Sequence, residues 1–230
     1  MATEELLPFP KDALNPSSQV RSFGAPGASL TWGIGGKRGG VVGAGLEGEK
    51  MTAKHLDAFV ENPYTRNMRI FHSAQWPGTN GDTDHILVMG NLVLLIDSKR
   101  WKSKRKYSVT PKGAILRGTV RFPEGKVKMI PALSAWKKVL PSEAKVYGVV
   151  CVAQTEVFVP YDQNWYKAPF RLVVVDQLID HIVDTIKREQ KKSPDLIKGV
   201  NPAIIKEIGS RLVKPRDRQA ELVNLSALDS

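Results

Sequence analysis

Two apolar runs hinged on a dipeptide restrict this chain more than any other feature. His85-Ile86-Leu87-Val88-Met89 leads through Gly90-Asn91 into Leu92-Val93-Leu94-Leu95-Ile96. Both runs are strand-length and Gly-Asn is a turn signal, so the spacing predicts a tight hairpin. An acid stands at the open end of each strand: Asp84 before the first and Asp97 after the second, with Lys99 two residues on. Folding about Gly90-Asn91 brings Asp84 and Asp97 to one end of a sheet. Strand alternation puts Asp97 and Lys99 on the same face.

The flanking sequence supplies partners for this hairpin. Residues 47–62 carry Met51, His55, Ala58 and Phe59 near helical spacing, and Pro63 closes that helix. Residues 68–74 read as a strand, and 107–110 with 114–120 as a further hairpin about Pro111-Lys112-Gly113. A helix is expected over 131–140, then buried strands over 146–153 and 170–175. Asp176 is expected to cap an amphipathic helix whose apolar face is Leu178, Ile179, Ile182, Val183 and Ile186. Asn201-Pro202 opens a last short helix, to about Val213. Residues 1–40, rich in Gly, Pro and Ser, read as a flexible arm. Residues 41–190 read as the main domain and 191–230 as a detachable basic C-terminal extension. The fold class is α/β: a mixed central sheet flanked by helices.

Two carboxylates and an ammonium at a sheet end suit Mg²⁺ or Mn²⁺, which keep much of their water. The metal would stabilise charge on phosphate oxygens, while the lysine orients or helps deprotonate the attacking water. Each residue alone has a plainer reading, as a turn acid or part of a solvated exit loop; the arrangement carries the assignment. Glu49, near a helix start, is explained as well by the helix dipole as by the site. His85 points away from Asp84 and reads as a satisfied core histidine, and Gln154 ends a strand from which it can reach the site.

Charge says what such a site would act on. The chain has 34 Lys and Arg against 23 Asp and Glu, a net +11, which favours a polyanionic partner. The surplus follows the site: from Lys99 to Lys138 there are thirteen basic residues and one acid, Glu124. Arg100, Lys102, Lys104, Arg105 and Lys106 are the candidate phosphate contacts, and the interleaved Trp101, Tyr107, Phe122 and Trp136 could stack bases. A solvated basic hairpin is the plain alternative. No base-reading motif is present, so backbone recognition is expected, and the lack of a G-x-x-x-x-G-K-[ST] loop argues against an ATP-driven motor. The single cysteine, Cys151, rules out an intrachain disulfide and reads as a small buried hydrophobe. An acidic start and short apolar runs imply a cytoplasmic protein without a membrane partner.

Three segments carry a family resemblance: Gly45-Leu46-Glu47-Gly48-Glu49-Lys50, then Gly81-Asp82-Thr83-Asp84-His85-Ile86-Leu87-Val88, then Leu94-Leu95-Ile96-Asp97-Ser98-Lys99. In order and spacing, over roughly residues 40 to 185, they resemble the nuclease-related domain (NERD) family of the PD-(D/E)XK nuclease-like superfamily. That family has a glycine-glutamate helix start, a D-H-hydrophobic strand and an (I/V)-(E/D)-x-K strand. The resemblance implies a restriction-endonuclease-like αβββαβ core, Asp84 and Asp97 as metal ligands, Lys99 as the catalytic lysine and Glu49 as an accessory acid. It implies Mg²⁺- or Mn²⁺-dependent hydrolysis of nucleic acid. DNA is the favoured substrate, and a homodimer is a candidate assembly. The chain departs from the pattern at Thr83, where the nominal residue is proline, and at Asp97, where the family more often has Glu. The alternative is a non-catalytic nucleic-acid-binding or assembly protein that retains the fold.

Overall fold

The computed structural model describes residues 5–31, 39–79, 81–101, 106–122, 127–153 and 168–215. Along the chain, strand β1 (Ser22–Gly24) and a short helix α1 (Ala28–Thr31) precede the long helix α2 (Gly39–Glu61). Strands β2 (Met68–Gln75), β3 (Asp82–Met89) and β4 (Leu92–Lys99) form a meander. Three short strands, β5 (Tyr107–Val109), β6 (Ile115–Arg117) and β7 (Val120–Arg121), make a separate small sheet. Helix α3 (Met129–Val139), strands β8 (Lys145–Val152) and β9 (Arg171–Val174), and helices α4 (Leu178–Lys192) and α5 (Pro202–Gly209) follow. The main sheet has six strands in the order β1-β2-β3-β4-β8-β9, with β2-β3-β4 antiparallel and the other pairs parallel. This is the mixed, helix-flanked sheet expected of a nuclease-like αβββαβ core.

The hairpin is the centre of that sheet. Met89 pairs with Leu92 across Gly90, whose φ of +59° is a left-handed conformation that glycine adopts without strain. The apolar runs are nearly continuous because both faces of the strands are covered. On one side Leu94 and Ile96 of β4 join Leu56 and Val60 of α2 and Leu178 and Ile182 of α4 in one core. On the other, Val93 and Leu95 join Trp136 of α3 and Ile204 and Ile208 of α5. The parallel β4–β8 pair needs a long crossover, and the small sheet and α3 provide it.

Four expectations are corrected. Residues 5–31 are not a flexible arm: β1 pairs in parallel with β2, and Ala13, Phe23 and Ala28 are buried. A few apolar residues on a Gly/Pro-rich segment suffice once a sheet edge accepts its backbone. Residues through 215 are no detachable extension either. The face of α5 is covered by the core, Leu7 N–H donates to Leu212 O, and Lys214 pairs with Glu5 at 2.9 Å. Helix α2 begins at Gly39, ahead of the helix formers that announced it. Asp176 lies in a 3₁₀ turn and caps nothing; Gln177 is the residue before α4. Asn201 does cap α5, accepting from the N–H groups of Ala203 and Ile204. Among the described residues no helix is long and apolar enough to cross a membrane.

Candidate active site

The β3–β4 register, His85 against Ile96, sets Asp84 directly across from Asp97 when carried one pair outward. Asp84 is only 8% exposed, and its Oδ2 accepts from the Ser98 N–H at 2.6 Å. Lys99 Nζ donates to Asp97 Oδ1 at 2.6 Å and to the Ser98 carbonyl at 3.3 Å. Helix α2 lays Glu49 over this strand end, 4% exposed. Asp84, Asp97, Lys99 and Glu49 are therefore brought together. A fifth charged group joins them: Asp82, half-buried at the start of β3, which accepts from Ser29 Oγ at 2.6 Å.

The charges gathered here act on Glu49, Asp84, Asp82 and Lys99. Burial pushes Glu49 from 4.5 to about 8, helped by the charges of Asp82 and Asp97 and opposed by Lys99 and the Gly27 N–H. Burial also raises Asp84 well above the carboxylate range, with Glu49 and Asp97 adding to it. Asp82 is raised by burial and by Asp97, against the Ser29 hydrogen bond. Burial alone would lower Lys99, but Asp97 and Asp84 outweigh it and hold the ammonium firmly charged. The set is short of positive charge.

Two oxygens mark where that charge is missing. Glu49 Oε2 and Asp97 Oδ2 are buried without a hydrogen-bond partner, and an unpaired buried carboxylate oxygen is costly. Carboxylate oxygens are the donors that Mg²⁺ and Mn²⁺ take, so the chemistry of the donor set fits either ion. Among the described residues no three His, Cys, Asp or Glu side chains stand in direct metal-holding geometry.

Behind the acids runs a buried polar chain. His85 is fully buried, as expected of a core histidine; its Nε2 contacts Ser98 Oγ at 3.1 Å and its Nδ1 meets His72 Nδ1 at 2.7 Å. His72 Nε2 reaches Asp57 Oδ1 at 3.1 Å, which also accepts from Ser22 Oγ. Burial, with His72 adding to it, lowers His85 well below the ordinary histidine range. Since the Ser98 N–H holds Asp84, this chain anchors the site from α2.

The basic surround is less uniform than its sequence. Arg100 pairs with Glu47 of α2. Lys106, Arg117, Arg121, Lys128, Lys137 and Lys138 are exposed, while Lys102, Lys104, Arg105 and Gln154 lie outside the described residues. The aromatics expected to stack bases do something else. Trp101 is 8% exposed, and Tyr107 and Trp136 are fully buried, packed into the core that joins the small sheet to the main one. Trp136 Nε1 donates to Thr83 Oγ1 at 3.0 Å, which gives the residue at the nominal proline position a structural task. Asp82 went unassigned in the sequence, although its place two residues before Asp84 on one strand was a usable signal. Ser29 gave none, because it comes from the segment read as an arm.

Fold and site together define a nuclease-like α/β protein with a carboxylate–lysine centre at the end of its hairpin. Residues 44–153 match the family model described as the nuclease-related domain. No curated protein and no solved structure matches the chain. The family match runs from α2 to the end of β8 and leaves out β1, α1, β9, α4 and α5.

Proposed function

We propose that this protein is a metal-dependent nuclease that hydrolyses phosphodiester bonds in nucleic acid, with DNA favoured. The observation that carries the reading is the pair of orphaned buried oxygens on Glu49 and Asp97, beside Asp84 and the charged Lys99. Asp84 and Asp97 are the ligands, and Glu49 faces the same ion. Bound Mg²⁺ or Mn²⁺ acidifies a water and offsets charge on the phosphoryl oxygens. Lys99 remains an ammonium and positions that water or neutralises a non-bridging oxygen, an interaction that strengthens as charge develops. The exposed Lys and Arg of the small sheet and α3 hold the phosphate backbone without reading bases.

The Lys99–Asp97 ion pair favours a second reading, because it occupies one oxygen of a ligand: a nucleic-acid-binding protein that keeps the fold without catalysis. Cleavage assays on DNA and RNA with Mg²⁺, Mn²⁺ or EDTA separate the two. The nuclease reading expects cleavage that EDTA abolishes. Binding without cleavage of any substrate would replace it with the second reading.

A further inference from the structure

Outside the family match, the chain still reaches the acid cluster. The segment Ala25-Pro26-Gly27-Ala28-Ser29 runs into α1 along one wall of it. Ser29 Oγ donates to Asp82 Oδ2, and the Gly27 N–H donates to the Glu49 carboxylate. Gly27 is buried at φ +75°, and a Cβ there would overlap Leu46 Cδ1 of α2. The Ala28 N–H donates to Ser73 Oγ at 3.1 Å, and Ser73 Oγ donates in turn to Ala25 O at 3.0 Å. Ser73 lies between the His72–His85 and Ala74–Thr83 pairs of the β2–β3 register and has a φ of +53°, which is uncommon for serine. The segment is thus docked at the strand end that bears the site.

A tether alone would not need a charge at position 82. An asparagine there would accept from Ser29 equally well. Asp82 also stands two residues before Asp84 on β3, so strand alternation puts both carboxylates on one face. The neighbouring Glu49 Oε2 is buried and unpartnered, an acceptor waiting for a cation.

We propose that Asp82, positioned by Ser29, is the outer acid of the divalent-cation site. It accepts from the ion's water rather than binding the ion directly, and residues 25–31 are the wall that holds it. This rests on the reading that Asp84 and Asp97 bind the ion.

Calorimetric Mn²⁺ titration of the full chain tests it, with thermal unfolding in EDTA alongside. The variants are Asp97→Asn, Asp82→Asn, Ser29→Ala and Ser29→Thr. Asp97→Asn should lose binding. Asp82→Asn should weaken it about 10- to 100-fold, as loss of an outer-sphere partner does, and unfold in EDTA no earlier than wild type. Ser29→Ala should weaken it about 3- to 10-fold, and Ser29→Thr, which keeps the hydroxyl, should restore it. If Asp82→Asn and Ser29→Ala bind Mn²⁺ as wild type does while Asp97→Asn does not, Asp82 is only a tether and the nuclease reading stands alone. An Asp82→Asn protein that unfolds earlier in EDTA and binds Mn²⁺ normally has the same meaning. A wild type that takes up no Mn²⁺ overturns both.

Discussion

Replacing Glu49 with Gln removes a carboxyl that burial, with Asp82 and Asp97, pushes from 4.5 to about 8. Without metal, the folded state keeps this proton at pH values where the unfolded chain has released it. The raised value therefore favours folding fully below about pH 4.5, and that contribution is lost as pH climbs toward 8. At about 1.36 kcal/mol per pH unit, the loss between pH 4.5 and pH 7 is roughly 3 kcal/mol. Glu49 is 4% exposed, so solvent screening does not erode this. Asp82 and Asp84 are raised too and slope the same way, so the informative quantity is the difference between wild type and variant. Urea unfolding in EDTA at pH 4.5 and pH 7 measures it. Glu49→Gln should match wild type near pH 4.5 and exceed it by up to about 3 kcal/mol at pH 7. Saturating Mn²⁺ should stabilise wild type by mass action and the variant less. Parallel pH curves, or a variant weaker at pH 7 than at pH 4.5 relative to wild type, would refute the placement of Glu49 in a site that lacks positive charge.

Two further outcomes test the surround and the frame. Replacing Lys106, Arg117 and Arg121 together with Ala should flatten the salt dependence of nucleic-acid binding by about 0.9 in log–log slope for each duplex phosphate no longer neutralised; an unchanged slope in filter binding would remove the small sheet from the interface. Gly90→Ala should cost about 2 kcal/mol or more in urea unfolding, from its left-handed backbone and a Cβ 2.5 Å from the Leu196 carbonyl oxygen; a wild-type midpoint would contradict the turn geometry.

The hairpin and its acids were legible because they depend on local rules: strand length, a turn dipeptide, and a side-chain period of two. Those rules set Asp84 opposite Asp97 and Lys99 beside Asp97 before any tertiary structure is known. What the sequence hid is tertiary. Ser22-Phe23-Gly24 becomes a strand only because the β2 edge accepts it, and Ser29 reaches Asp82 only because that edge is there. The basic stretch misled in a similar way. Beyond Lys99 the charges among the described residues are exposed, but Trp101, Tyr107 and Trp136 are taken up by the core where the crossover packs back on the sheet. An aromatic between lysines carries no local mark of which side it will face.

Lys99 offers the sharpest test of nuclease activity at this site. Its ammonium, held 2.6 Å from Asp97 Oδ1, contributes mainly when the phosphate gains charge, so its loss should lower turnover and leave affinity nearly intact. The measurement is paired, on wild type and Lys99→Ala: cleavage rate with Mg²⁺ or Mn²⁺, and the nucleic-acid binding constant with Ca²⁺. Cleavage should fall by orders of magnitude in the variant, with binding within a few-fold of wild type. Equal cleavage by both proteins, or no cleavage by the wild type on DNA or RNA, would contradict the role given to Lys99 and the nuclease reading with it.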